Sequence, residues 1–429
     1  MDSEAQHDPR RHVAIIGAGF AGLNLIANLN PKHTRATLID QRNHHTFQPL
    51  LYQVAAAQLD AGDVARHVRG IIAGRSHARF RYGKVTAADF DAHTLTFEDG
   101  GTLPYDDLVI AAGAVYSDFG VPGIKDHAFV LKSVSDAVRL RSHLLKQIEQ
   151  AAHTDASGDS GRMRIVIVGG GPTGVELAGA LSELAYHAMP KDYPDLDLHS
   201  VDIQLVEMTD ALLPSFSAKS QRYAERVLKR RGVTLRMNTA VAAAESDAVI
   251  LADGERIPTH TLVWAAGVEA HPLAGALDVP TGPGGRINVG SNLQVLDLPH
   301  VYAAGDIAAS PGPDGRPLPQ VAPVAIQQGK YLGKILSRET GNRKPEPPFR
   351  YVDKGSMAIV GRNAGVAELS KRFGGFAMRG FIGWLAWLVI HLIYLPGHMN
   401  RLSAFIRWSY EYVTWDKHAR LIHEPETRG

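Results

Sequence analysis

Gly17, Gly19 and Gly22 follow the apolar run Val13-Ala14-Ile15-Ile16, and Gly169, Gly171 and Gly174 follow Ile165-Val166-Ile167-Val168. Each spacing predicts a strand, a tight turn and the start of a helix. The first glycine makes the turn, the second lets the backbone approach a pyrophosphate, and the third permits close helix–strand packing. The helix then offers its unpaired N–H groups to phosphate oxygens, with Phe20 and Ala21 opening one such helix and Pro172 and Thr173 the other. An acid completes each motif by accepting hydrogen bonds from a ribose hydroxyl: Asp40 ends Ala36-Thr37-Leu38-Ile39, and Glu207 ends Ile203-Gln204-Leu205-Val206. Asp40 stands 18 positions beyond Gly22 and Glu207 stands 33 beyond Gly174, so the second copy carries a longer connection.

The elements that must position these residues repeat as well. Thr94-Leu95-Thr96-Phe97-Glu98-Asp99-Gly100 corresponds to Ala248-Val249-Ile250-Leu251-Ala252-Asp253-Gly254, and Leu108-Val109-Ile110-Ala111-Ala112-Gly113 to Leu262-Val263-Trp264-Ala265-Ala266-Gly267. Two equivalent dinucleotide-binding domains in tandem explain a repeat of this extent. A carboxylate at Glu207 disfavours a 2′-phosphate, which selects NADH over NADPH in the second copy. One element lacks a counterpart there. The short apolar run Val301-Tyr302-Ala303-Ala304 ends in Gly305-Asp306, where the aspartate serves as a helix cap or as a ligand to a cofactor chain.

Composition narrows the chemistry. The 429 residues include 45 Lys+Arg, 44 Asp+Glu and no cysteine, which excludes a dithiol centre, a thiolate-held metal and an iron–sulfur cluster. A net charge of +1 supplies no field for nucleic acid. The histidines are scattered, His44-His45 beside the first motif included, so no metal is expected. Met1 to Arg11 is polar, so no secretory leader is expected either.

The Gly-Asp strand resembles the flavin motif of flavoproteins with two dinucleotide domains, which implies FAD in the first copy. The whole chain from Val13 onward resembles the type II, non-pumping NADH:quinone oxidoreductases. The specific marks are Phe47-Gln48-Pro49-Leu50-Leu51-Tyr52-Gln53-Val54-Ala55, the glycine helix from Gly169 to Leu181, Leu212-Leu213-Pro214, and Val366-Ala367-Glu368-Leu369. The resemblance implies a peripheral membrane enzyme that oxidises NADH through FAD and reduces a quinone without pumping protons. It places Gly17, Gly19, Phe20, Ala21, Gly22, Asp40, Gln48, Tyr52, Ala112, Gly113, Gly305, Asp306 and Gln328 around FAD. NADH falls to Gly169, Gly171, Pro172, Thr173, Gly174, Glu176, Glu207, Ala266 and Gly267. Glu176 complements a helix dipole on its residue type alone; the resemblance implies a proton relay. Gln327 matches a glutamine near the quinone in the family and reads as ordinary helix surface without that match, while Pro323 replaces a second such glutamine. Two rival readings are a soluble NADH-dependent reductase of a ferredoxin-like protein and a non-enzymatic NADH-sensing flavoprotein.

The tail differs in character. Four of the five tryptophans (Trp384, Trp387, Trp408, Trp415) lie there, with nine Lys+Arg against five Asp+Glu from Arg362 onward. The apolar run from Phe381 to Leu395 is too short for a span of about 20 residues. Leu402, Phe405, Trp408, Tyr412 and Trp415 recur at helical steps. An amphipathic, basic, aromatic segment fits an in-plane membrane anchor or a dimer interface. The expected organisation is an α/β chain with two tandem Rossmann-type domains, the NADH domain inserted in the FAD domain. FAD takes residues 1–115 and 276–343, NADH takes 116–275, and 344–429 form the membrane-associating or dimerising helical region. Linkers are expected at 155–161, 310–319 and 344–348. The implied setting is a homodimer, peripheral on the cytoplasmic side of the inner membrane.

Overall fold

Parallel strands at both glycine motifs organise the computed structural model, which describes residues 8–153, 161, 163–338, 347–417 and 419–423. Most of the 155–161 linker, at 155–160, and residues 344–346 of the last one lie outside the described residues. The chain divides into two compact units. One comprises Met1–His45, His67–Val115 and Val268–Val352, and the other Thr46–Arg66, Tyr116–Gly267 and Asp353–Gly429.

In the first unit five strands pair in the order Val301–Ala303, Asp107–Ile110, Arg11–Ile16, Thr34–Asp40 and Ala78–Tyr82. All pairings are parallel. Parallel strands are covered on both faces, so their residues run apolar without alternation, as Val13, Ala14, Ile15, Val109 and Ile110 do in the buried core. The helix Phe20–Asn28 packs along the helix Ala322–Leu336, and glycines decide how close they come. A side chain at Gly333 would meet the Leu25 carbonyl oxygen at 2.7 Å, and one at Gly329 would overlap that of Ala21. Pro323 sits in the first turn of Ala322–Leu336, where a missing N–H costs nothing.

In the second unit the order is Ala128–Phe129, Thr261–Trp264, Arg164–Val168, Asp202–Val206 and Val233–Arg236, again parallel throughout. Each unit adds a three-stranded antiparallel sheet whose middle strand is the repeated segment, Thr94–Phe97 in one and Ala248–Leu251 in the other. Gly100 and Gly254 close the turns behind them in left-handed conformations.

The second unit also contains the tail. Strands Gly355–Gly361, Ala364–Leu369 and Ala377–Gly380 form an antiparallel sheet, followed by helices Phe381–Tyr394 and His398–Thr414. The strand Gly355–Gly361 lies against the glycine helix Pro172–Glu183 because Gly179 offers no side chain; a Cβ there would stand 2.5 Å from the Val360 carbonyl oxygen. Gly365 and Gly383 likewise bring strand and helix backbones together. Glu368 accepts hydrogen bonds from the Ser217 N–H at 3.1 Å and its hydroxyl at 2.5 Å, fixing the start of the helix Ala218–Arg230. Among the described residues no helix is long and apolar enough to cross a membrane.

Candidate active site

Both glycine loops are built alike, each within its own unit. Gly17 and Gly169 adopt φ of +112° and +114°, a region closed to most side chains. A Cβ on Gly22 would overlap the Gly17 carbonyl oxygen, and one on Gly174 that of Gly169, so the helix can close on its loop only with glycine there. Gly19 and Gly171 differ. Each is the N-cap of its helix, neither helix has a side-chain cap or a first-turn acid, and a Cβ on either glycine would meet nothing within 4 Å. Open space over uncapped N–H groups is the shape a pyrophosphate requires.

The two acids occupy equivalent positions. Asp40 accepts from the Ala18 N–H at 2.7 Å and from the Arg42 N–H at 2.8 Å. Glu207 accepts from the Gly170 N–H at 2.5 Å, and its other oxygen accepts from the Thr209 N–H and hydroxyl, each at 2.8 Å. Each acid therefore organises the loop it serves. The Leu213 N–H donates to the Gly170 carbonyl at 2.8 Å, which gives the Leu212-Leu213-Pro214 segment its place.

In the first unit His45, which the sequence places beside the first motif, lies buried under the loop with Nδ1 3.0 Å from the Ala18 carbonyl, and burial lowers its pKa to about 4. The neutral ring meets Phe20 edge-on at 5.0 Å. Gly305 sits beside Ala21 in a left-handed conformation, and Asp306 follows in a short turn, Gly305–Ile307, rather than at the start of the long helix. Gln328 is fully buried and its Oε1 accepts from the Gly305 N–H at 2.6 Å, leaving Nε2 buried without a partner. That orphaned donor, the uncapped Phe20 turn and the open space at Gly19 fit an acceptor-rich dinucleotide. Ala112 and Gly113 follow the strand Asp107–Ile110, and the Gly113 carbonyl accepts from the His271 N–H at 3.0 Å. Gln327 uses both ends of its amide on Val352, donating to the carbonyl at 2.9 Å and accepting from the N–H at 3.0 Å.

In the second unit Ala266 and Gly267 follow the strand Thr261–Trp264; the Gly267 carbonyl accepts from the Ser117 N–H at 3.2 Å, and Trp264 Nε1 donates to the Ser117 carbonyl at 2.7 Å. Gln48 donates to the Lys132 carbonyl at 3.4 Å. Glu176 is buried, and its Oε1 accepts from the Ile359 N–H at 3.2 Å and from Trp387 Nε1 at 3.0 Å. Burial raises its pKa to about 8 against the lowering effect of those two donors. Trp387 is fully buried and stacks on His391 at 3.7 Å, and Tyr52 meets its ring at 6.2 Å. Burial also raises the Tyr52 hydroxyl well above its usual range. The environment of Glu176 thus comes from the tail, which composition marks only as aromatic.

Two glycine-loop α/β units in a chain without cysteine define a pyridine-nucleotide oxidoreductase fold that lacks a redox thiol. The family model described as pyridine nucleotide-disulphide oxidoreductase matches residues 11–329. The chain belongs to the type II NADH:quinone oxidoreductases: it is 35% identical to the Mycobacterium tuberculosis type II NADH:quinone oxidoreductase Ndh, over 95% of this chain and 89% of that protein. It is 31% identical to a mitochondrial internal alternative NAD(P)H-ubiquinone oxidoreductase of Solanum tuberosum, over 94% and 86% of the two chains. The solved structure of NDH2 from Plasmodium falciparum in complex with NADH superposes with a TM-score of 0.89 at 19% identity, covering 97% of this chain and all of that one, a likeness of fold.

Glu207 supplies a first prediction. Replacing it with glutamine removes a charge-assisted acceptor worth about 1.5–3 kcal/mol. In steady-state assays with both coenzymes, E207Q should lose about tenfold to a hundredfold of its preference for NADH over NADPH. An unchanged ratio with slower turnover would confine Glu207 to holding the Gly170 loop.

Proposed function

We propose that the first unit holds FAD, the second holds NADH, and the chain passes two electrons from NADH to a quinone. The observation carrying this reading is the pair of matched loops, each with an uncapped helix start, open space over its middle glycine and an acid beneath it. The absence of cysteine removes any internal dithiol, so the electrons go directly to an outside acceptor. When bound, FAD supplies the hydride acceptance and the onward electron delivery. In the first unit Gly17, Gly19, Phe20, Ala21, Gly22 and Asp40 hold the dinucleotide, with Ala112, Gly113, Gly305, Asp306 and Gln328 lining its further reach. Gly169, Gly171, Pro172, Thr173, Gly174, Glu207, Ala266 and Gly267 do the same for NADH. The reaction balances as NADH, a proton and quinone giving NAD+ and quinol, so one proton must come from solution. Glu176, held protonated near neutral pH by burial, is the group we assign to deliver it.

The tail supports a membrane setting. Phe381, Ile382, Leu385, Ile393, Phe405 and Val413 are exposed on the two tail helices, an apolar face that needs a cover. A helix pair lying in the plane of the membrane with basic residues nearby would place the protein at the lipid surface where quinones dissolve. With the family resemblance, this face supports a homodimer, peripheral on the cytoplasmic side of the inner membrane, that pumps no protons.

The test is rapid mixing without oxygen. Protein with bound flavin should lose its flavin absorbance on mixing with NADH and regain it rapidly on mixing with a short-chain quinone. Rapid reduction followed by no reoxidation with any quinone would overturn the quinone assignment and redirect the search to protein acceptors.

A further inference from the structure

Phe119 is 66% exposed and stands in a left-handed conformation, with φ of +51°. Neither the backbone nor the core accounts for a phenylalanine there. Glycine adopts that conformation freely, whereas a bulky side chain is strained in it. A ring left largely in water buries little apolar surface in return. Yet the turn that carries it is firmly built, and every contact lies within the second unit. The Ser117 carbonyl accepts from Trp264 Nε1 at 2.7 Å, and the Ser117 N–H donates to the Gly267 carbonyl at 3.2 Å. Ser117 Oγ accepts from the Phe119 N–H at 3.3 Å. The Asp118 carboxylate accepts from the Gly120 N–H at 2.9 Å and pairs with Lys125 at 3.2 Å. One edge of the ring rests on Gly267, where a Cβ would stand 2.6 Å from Phe119 Cε2, so the ring settles there only because that residue is glycine.

The sheet fixes what passes beside this ring. Asp202–Val206 and Thr261–Trp264 flank Arg164–Val168 on opposite sides. Glu207 follows the first of them, and Gly171 caps the helix after the central strand. A dinucleotide whose ribose reaches Glu207 and whose pyrophosphate lies over Gly171 therefore extends its other half toward the end of Thr261–Trp264. That end touches the glycine loop: a Cβ on Gly169 would stand 2.7 Å from the Ala265 carbonyl oxygen and 2.9 Å from Ala266 Cα. Gly267 and the ring of Phe119 come next. We propose that Phe119 is a coenzyme-binding residue, whose ring forms the wall against which the nicotinamide half of NADH packs. This rests on the reading of the second unit as the NADH unit. The ring is held in place beforehand by its turn, so the coenzyme orders no loop when it binds.

The test uses full-length protein with bound flavin, and follows bleaching of the flavin against NADH concentration. Competition by ADP, which carries the adenosine half and both phosphates but nothing beyond them, is measured alongside. Phe119→Gly removes the ring and the left-handed strain together, so its melting temperature should hold. Its apparent Kd for NADH should rise about threefold to tenfold, the loss expected for one aromatic contact. The inhibition constant of ADP should stay the same, because ADP does not reach the ring. Phe119→Tyr keeps the ring and should bind NADH as the unaltered protein does. An unchanged Kd for NADH in F119G overturns the inference, as does F119Y binding as weakly as F119G. Equal weakening of ADP and NADH also overturns it, confining Phe119 to shaping the turn. If NADH fails to bleach the flavin of the unaltered protein, the NADH reading itself fails, which is a separate result.

Discussion

Trp387→Ala should unfold the second unit's tail from its glycine helix. Trp387 is fully buried, and truncating a buried tryptophan costs about 3–5 kcal/mol. The loss falls on a single contact set, because the same ring covers Glu176, stacks on His391 and receives Tyr52. The milder Trp387→Phe removes the indole N–H and keeps most of the ring, at a cost of about 1–3 kcal/mol for the weakened satisfaction of a buried acid. pH separates the two effects. Glu176 binds its proton up to about pH 8 when folded and releases it near its ordinary value of 4.5 when unfolded. Its contribution to stability is therefore full below pH 4.5 and drains away as pH rises toward 8. W387F withdraws a donor that favours the ionised form, so the decline should extend to higher pH. Urea unfolding across this range measures the slope. A slope in W387F identical to that of the unaltered protein would show that the indole does not tune Glu176.

The second large effect belongs to the closing glycines. In Gly174→Ala the new methyl overlaps the Gly169 carbonyl oxygen, and in Gly22→Ala that of Gly17, so loop and helix must part in either case. Overpacking of this kind costs about 1–3 kcal/mol, or about tenfold to a hundredfold in affinity. G174A should raise the KM for NADH by that factor and retain its flavin, whereas G22A should purify depleted of flavin. Gly171→Ala gives the contrast: its methyl has open space, so thermal stability should hold while NADH affinity falls. Normal NADH kinetics in G174A would show that the loop closes by another route.

These loops were legible because everything they need is local. Strand, turn, helix and acid fall within a few dozen residues, and only glycine satisfies the φ of +112° and +114° at Gly17 and Gly169. The tail was legible as helices but not in the direction its side chains take. Helical spacing places Leu402, Phe405 and Trp408 along one side, yet Leu402 and Phe405 are exposed, while Trp408 turns inward and donates to Gln53 at 2.8 Å. Periodicity reports that a stripe exists; the partner that covers it is hundreds of positions away. Trp387 reads in the sequence as one more interfacial aromatic, and Gly179 as part of a glycine-helix motif, until Glu176 shows why the first is there and the strand Gly355–Gly361 why the second is. Gln327 follows the same pattern. Its residue type alone read as ordinary helix surface, and its amide closes on the Val352 backbone.

The interleaving of the two units also governs the order in which the chain can be assembled. The sheet carrying the first glycine loop includes Val301–Ala303, and the acid on the second glycine helix is covered by Ile359 and Trp387. During synthesis neither unit can finish when its glycine motif emerges. The first must wait for Val301–Ala303 to be made, and the second for Ile359 and Trp387. Until the helix carrying Trp387 has been made and packed, Glu176 lacks its cover, so the site acquires its raised proton affinity only after that step.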